Sequence, residues 1–302
     1  MKKSIQSKKE AWLHAVRLRT LPLALASIFA GSFLAQWQGS FRWEVLLLAS
    51  LTTIFLQILS NLANDYGDSI HGADSSERKG PIRAVQSGLI SLQEMKRAMI
   101  LFGALSLGTG ILLIYLALPD WKYFLGFLAL GLAAIWAAIR YTSGKNPYGY
   151  AGLGDIFVFG FFGIVGVTGT YFLHALEAKP FILLIAFSLG CFSTVVLNIN
   201  NIRDIDSDRL AGKLSIPVRI GRTNAIRYHW ALILLGNVSL LYFVLLNQTY
   251  TPLLAFLMLP WMIQISQGIQ SATTAAETDP FLKKMALSTL IWTLLFGFGL
   301  IL

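Results

Sequence analysis

Asn61–Asp74 reads NLANDYGDSIHGAD, two amides and three carboxylates set at the end of a long, mostly apolar run. A second acidic stretch, Asn200–Lys213 (NNIRDIDSDRLAGK), begins at the end of another apolar run, and 140 positions separate Asn64 from Asp204. Asn64 and Asp68 are four apart, as are Asp204 and Asp208, so on a helix each pair lies on one face. The C-terminal end of a helix carries partial negative charge, and carboxylates there call for a compensating cation.

The apolar runs set the class of the protein. Of the 302 residues, 55% are hydrophobic and 13% charged, against roughly 25% charged in a soluble domain. Mean hydropathy is +0.63, which describes an integral membrane protein. Nine segments reach spanning length: 21–38, 44–63, 98–118, 121–139, 153–174, 180–200, 225–246, 252–270 and 284–302. The runs are continuous rather than alternating, so the class is all-α and not a β-barrel. The basic start, MKKSIQSKKE, imitates a secretion signal, but further spans follow and the first run reads as a retained helix. Cys191 is the single cysteine, so no internal disulfide is possible.

The net charge of +9 is topogenic rather than a nucleic-acid footprint. With a cytoplasmic N-terminus, all but three of the 24 basic residues (Arg42, Lys122 and Lys179) fall on the cytoplasmic side. The chain then reads as one transmembrane domain, 1–302, with a basic cytoplasmic segment over 1–20 and cytoplasmic loops near 64–97, 140–152 and 201–224. Both acidic clusters fall at the cytoplasmic ends of spans with the same polarity, the second and the sixth. That spacing predicts two four-helix repeats plus a ninth helix, with the clusters converging across a central cavity.

Oxygen ligands without histidine or thiolate suit Mg²⁺, which habitually takes a few carboxylates plus substrate phosphates. Arg78, Lys79 and Arg83 follow the first cluster, Arg203, Arg209, Lys213, Arg219 and Arg222 interleave with the second, and Lys145 lies between spans four and five. Acids for a metal beside bases for oxyanions are what a diphosphate requires. Asp65, Asp68, Asp74, Asp204, Asp206 and Asp208 are six of only fifteen acidic residues, and ionisable groups at the hydrocarbon edge are functional by default. Asp155 either caps the fifth span or lines the cavity. Tyr141, Tyr148 and Tyr150 fit interface aromatics, and the glycine-rich FGFFGIVGVTG fits close helix packing. A cation-coupled secondary transporter shares this physics, although transporter sites favour the midplane rather than one membrane edge.

NDYGD followed by NNIRDIDSD resembles the two aspartate-rich motifs of the UbiA superfamily of intramembrane prenyltransferases. NDYGDSIHGAD, GPIRAVQSGLIS, YTSGKNPYGYAGLGD and RDIDSDRLAGKLSIPVRIG are similar to its naphthoate branch, and AVRLRTLPLALA to its first helix. Many members carry an aspartate where this chain has Gly72, and the Gly72-x-Asp74 ending is similar to the naphthoate rather than the 4-hydroxybenzoate branch. The resemblance implies a nine-helix bundle of the bacterial cytoplasmic membrane whose cavity opens to the cytoplasm and laterally to lipid. It implies that Asn64, Asp68, Asp204 and Asp208 hold Mg²⁺ against a polyprenyl diphosphate, with Asp68 and Asp204 as catalytic groups. Arg203, Lys213, Lys145 and Arg83 would contact phosphate oxygens. Asp65, Asp74, Tyr141 and Asp155 are further candidates. The acceptor implied is 1,4-dihydroxy-2-naphthoate, with 4-hydroxybenzoate as the nearest alternative.

Overall fold

Tertiary partners, more than hydropathy, decide where the helices of this protein end. The computed structural model describes residues 7–70, 84, 85 and 87–302. After α1 (Lys8–Val16) and a 3₁₀ turn at Leu18–Thr20 come α2 (Leu21–Trp37) and α3 (Trp43–Ile70). At ~1.5 Å per residue the 28 residues of α3 run ~42 Å, beyond the ~30 Å hydrocarbon core. Its last two turns therefore carry Asn64, Asp65 and Asp68 as helix, where the expected loop had begun at 64. Asn61 Nδ2 donates to the Val16 carbonyl (2.8 Å) and Arg17 pairs with Asp65, so this polar end stays helical. Asp74 and Arg83 lie outside the described residues.

The 1–20 segment is likewise partly folded. Ser7 caps α1 by accepting from the Glu10 N–H, and Ala11 and Ala15 are buried in a cluster with Leu59 and Leu62 of α3. α4 (Leu92–Ala117) and α12 (Ala275–Ile301) start six and nine residues before their hydropathy bounds, because the boxes Ser91–Glu94 and Thr274–Glu277 cap polar first turns. α5 (Trp121–Arg140) matches its expected span.

The fifth span joins α6 (Gly154–Val158), a π-helical segment Phe159–Gly169, and α7 (Thr170–Ala175). Its glycines serve close packing as expected: a Cβ on Gly163 would lie 2.6 Å from the Gly190 Cα of α8 (Ile182–Arg203). The expected 201–224 loop is largely helical, with α9 (Ile205–Leu210) and the start of α10 (Ile216–Asn247), which breaks at Gly221 where φ is +77°. A 3₁₀ stretch Thr251–Met258 leads into α11 (Leu259–Ser271). Among the described residues nine helices are long and apolar enough to cross a membrane.

α8 is the central helix. Ile185, Leu189, Phe192 and Val195 are fully buried, and Trp292 of α12 meets Phe192 edge-on with centroids 5.0 Å apart. α5 lies at the periphery, with Trp136 and Tyr123 about half exposed. The C-terminal ends of α3 and α8, which carry the two acidic clusters, come to the same end of the bundle as the start of α2 and of α12. Arg17, Arg19, Arg203 and Asp279 form ion pairs there.

Candidate active site

A cavity of about 390 Å³ lies between α2, α3, α4, α5, the π-helical segment and α8. Most of its wall is apolar, with Leu107, Ile114, Phe127, Leu128, Phe161 and Val165 among the lining side chains. Its polar end gathers Arg17, Asn61, Asn64, Asp68, Tyr141, Asn200 and Lys213.

From the first cluster, the Tyr150 hydroxyl donates to Asp68 Oδ1 at 2.9 Å. The Thr142 hydroxyl lies 3.0 Å from the Ala63 carbonyl oxygen and 3.2 Å from Asn64 Oδ1. The loop between α5 and α6 thus reaches over the end of α3. From the second cluster, Arg203 grips Asp204 with a fork, Nε to Oδ1 at 2.8 Å and Nη2 to Oδ2 at 2.6 Å. Arg203 Nη1 holds Asp279 of α12 at 2.6 Å, and Arg19 closes on the other Asp279 oxygen at 2.9 Å. Asp208 lies 3.3 Å from Lys213 Nζ and accepts from the Ser215 hydroxyl at 3.3 Å.

The clusters are electrostatically in contact. Burial pushes the Asp208 carboxyl up, the Lys213 ammonium opposes that, and Asp204 and Asp68 add to the rise. Burial would lower Lys213, but Asp208 and then Tyr141, Asp68 and Asp204 outweigh it, holding its pKa above the ordinary lysine value. Burial also raises the Tyr141 phenol. Asp68 of α3 therefore faces the Asp208–Lys213 pair.

Several expectations need correction. Asp155 neither caps nor lines the cavity: the cap position of α6 is Leu153, and the Asp155 carboxylate accepts from the Tyr228 hydroxyl at 3.0 Å. Lys145 is exposed and off the cavity wall. Tyr141, a candidate site residue, is on the cavity wall, and Tyr150 is a partner of Asp68 rather than an interface aromatic. Asn200 and Lys213 are on the cavity wall, and Asp204, Asp208 and Arg203 are not among its lining side chains. Asp65 is committed to Arg17.

Sequence reading missed Arg17, Tyr150, Asn200 and Asp279. Asn200 had a signal, since it precedes Asp204 by the same four-residue step that joins Asn64 to Asp68. Asp279 had none, because only the return of α12 brings it to Arg203. Among the described residues no group of three or more His, Cys, Asp or Glu side chains converges on one point. The donors present, an amide and carboxylates from two facing clusters, still fit Mg²⁺, which needs only one or two protein carboxylates when phosphate oxygens complete the shell.

Known proteins match this architecture throughout. The model of the UbiA prenyltransferase family matches residues 24–300. The chain is 44% identical to the 1,4-dihydroxy-2-naphthoate octaprenyltransferase of Escherichia coli (strain K12), over 98% of this chain and 96% of that one. It is 42% identical to the protein of the same name from Haemophilus influenzae, over 99% and 98%. The fold is that of a UbiA homolog from Aeropyrum pernix K1 (TM-score 0.68, 19% identity, 94% and 98% covered). It is also that of a UbiA homolog from Archaeoglobus fulgidus bound to GPP and Mg²⁺ (TM-score 0.65, 17% identity, 96% and 99% covered). With its family model matched over nearly the whole length, the chain belongs to the UbiA prenyltransferase family.

Proposed function

We propose that this protein transfers a polyprenyl group from polyprenyl diphosphate to 1,4-dihydroxy-2-naphthoate, releasing pyrophosphate and CO₂ and giving the quinol form of demethylmenaquinone. The observation that carries the reading is the cavity itself, an apolar chamber whose one polar end holds Asp68 and Lys213 from the two clusters. The full-length relatives named for this reaction supply the acceptor.

Asn64, Asp68, Asp204 and Asp208 would hold Mg²⁺ as the divalent metal, consistent with the Mg²⁺ in the Archaeoglobus homolog. When bound, the ion supplies positive charge to the departing pyrophosphate. Lys213, kept protonated by Asp208 in a buried site, adds a second positive charge at the same end. Arg203 is placed beside it, its guanidinium steadied by Asp279. Tyr150 orients Asp68, and Thr142 orients Asn64.

As the allylic C–O bond breaks, the electron pair leaves with pyrophosphate and the electron-rich naphthoate ring attacks the prenyl carbon. Loss of the ring carboxylate as CO₂ restores aromaticity. The apolar wall keeps water from the cationic carbon. The lysine and arginine asymmetry supports a cytoplasmic site end, and the full-length bacterial relatives support the bacterial inner membrane as its setting.

The test is detergent-solubilised protein with Mg²⁺, geranyl diphosphate and either 1,4-dihydroxy-2-naphthoate or 4-hydroxybenzoate, read by mass spectrometry. A prenylated, decarboxylated naphthoate product is expected. Product from the benzoate alone would overturn the acceptor, and none from either, with the protein folded, would overturn the reaction.

A further inference from the structure

Between α9 and the spanning part of α10 the chain exposes leucine and arginine side by side. Leu210, at the end of α9, is 71% exposed and Leu214 is 49% exposed. Arg209, Arg219 and Ile220 are exposed beside them, and so is Arg227, seven residues after Ile220. The α11–α12 connection at the same end of the bundle turns out Thr273, Thr274 and Glu277 instead, as a surface meeting water does.

Hydrogen bonds fix the height of this ledge. The Leu214 N–H donates to the Tyr150 carbonyl at 2.9 Å, and Arg219 donates to the carbonyls of Leu214 and Ala151 at 2.9 and 2.6 Å. Shortly after Ala151 come Leu153 and Ile156, 41% and 67% exposed, where the fifth span begins. The ledge is therefore level with the first turn of a span, at the depth of headgroups rather than of open solvent. The break at Gly221 turns Ile216–Ile220 off the course of the helix that follows, and Arg227 lies in the first turns of that helix, from which its long side chain carries the charge back to the interface. Charge then selects the lipid. Apart from the buried Asp208–Lys213 pair, the exposed charges from Ile205 to Arg227 are Arg209, Arg219 and Arg227 against Asp206. Among the described residues no carboxylate pairs with these arginines: Arg219 is used on carbonyls, and Arg227 reaches only the Asn224 side chain, at 3.1 Å.

We propose that this ledge is a binding surface for an anionic phospholipid. Leu210 and Leu214 enter the acyl boundary, while Arg209 and Arg227 hold the headgroup phosphate, whose oxygens match the guanidinium fork. The other occupant suited to a basic and apolar surface is an acidic soluble protein, and the depth marked by Leu153 and Ile156 favours the lipid. The inference goes beyond the prenyl-transfer reading and uses neither the cavity nor turnover, so the two stand or fall separately.

The experiment places a nitrobenzoxadiazole label on the full chain at Leu210→Cys, with the buried Cys191 left in place. The protein is reconstituted in equimolar phosphatidylcholine and phosphatidylglycerol, with bromine quencher on the acyl chains of one lipid or the other. Both should quench the label, brominated phosphatidylglycerol at least about twofold more, since each basic residue at a charged surface gives roughly a fivefold preference. Arg209→Gln with Arg227→Gln should bring the two quenchers to parity. Arg219 is kept, because its carbonyl bonds hold the loop. The same label at Leu234→Cys, exposed in mid-span on α10, reports bulk lipid and should show parity throughout. No quenching by either lipid at Leu210→Cys overturns the inference and returns the ledge to a soluble partner. Parity at Leu210→Cys, a preference that survives loss of both arginines, or the same preference at Leu234→Cys overturns it as well. If Leu210→Cys does not fold, the label at Leu214→Cys decides by the same criteria.

Discussion

Tyr150→Phe removes one oxygen from the site and leaves the ring's anchorage intact. The hydroxyl donates to Asp68 Oδ1 at 2.9 Å, while the Tyr150 carbonyl independently accepts from the Leu214 N–H at 2.9 Å. A hydrogen bond to an ionised acceptor is worth ~1.5–3 kcal/mol, or roughly 10- to 150-fold at ~1.4 kcal/mol per decade. Tyr150 is half-buried, so the lower part of that range applies and kcat/KM should fall roughly tenfold. If Tyr150 acts by fixing Asp68 as a metal ligand, the loss should appear chiefly as a higher Mg²⁺ requirement. Product formation measured over a Mg²⁺ titration reads this directly. A double-mutant cycle separates it from a packing effect, using Mg²⁺-dependent binding of geranyl thiolodiphosphate by calorimetry. Tyr150→Phe should add little to the loss already caused by Asp68→Asn. Additive losses, or Tyr150→Phe within twofold of wild type at limiting Mg²⁺, would refute the reasoning.

Three other predictions follow from the same geometry. Lys213→Met leaves the buried Asp208 carboxylate without its cation and should cost ~3–5 kcal/mol of stability, most of it restored by adding Asp208→Asn; an unchanged melting temperature in the single variant would count against the pair. Because the Lys213 pKa is raised above 10.5, its stabilisation is complete below that value and is lost as pH climbs past it, so alkaline melting should fall more steeply in wild type than in Lys213→Met. EDTA should stop turnover and excess Mg²⁺ restore it, and activity persisting in metal-free buffer would remove the metal from the proposed site.

What was legible in the sequence was what local pattern encodes. The nine apolar runs, the two acidic clusters and their shared polarity all rest on spacing within a helix or on run length. The misses have a common physical origin, because each depends on a contact between elements far apart in the chain. Asn64 and Asp68 fall past the hydropathy bound of their span, and it is Arg17 and Asn61 that tie the end of α1 to the end of α3. Tyr150 looks like an interface aromatic until the α5–α6 loop folds over Asp68. Asp155, at the mouth of a helix, invites a capping role, and only the approach of α10 gives it Tyr228 instead. The ion-pair chain Arg19–Asp279–Arg203–Asp204 joins the first, last and sixth spans, and no window of sequence contains it.

The placement of these partners bears on how metal and donor enter together. Asp68 is engaged by Tyr150, Asp204 by Arg203, and Asp208 by Lys213 and Ser215. Separating a buried carboxylate from its cation is costly unless another positive group replaces it. If the proposed metal takes the carboxylates, Lys213 and Arg203 are released towards phosphate oxygens. If a diphosphate takes the two cations alone, Asp204 loses Arg203 and Asp208 loses Lys213 in a buried site. Each ligand therefore removes the penalty that the other would meet. Coupling of this kind typically amounts to ~1–3 kcal/mol, roughly 5- to 150-fold in affinity, and must be reciprocal. Calorimetry of Mg²⁺ binding with and without geranyl thiolodiphosphate, and of the analogue with and without Mg²⁺, should give the same factor both ways. In Lys213→Met that factor should shrink, since one exchangeable cation is gone. Equal Mg²⁺ affinity in the presence and absence of the analogue would show that the carboxylates and the cations do not trade partners.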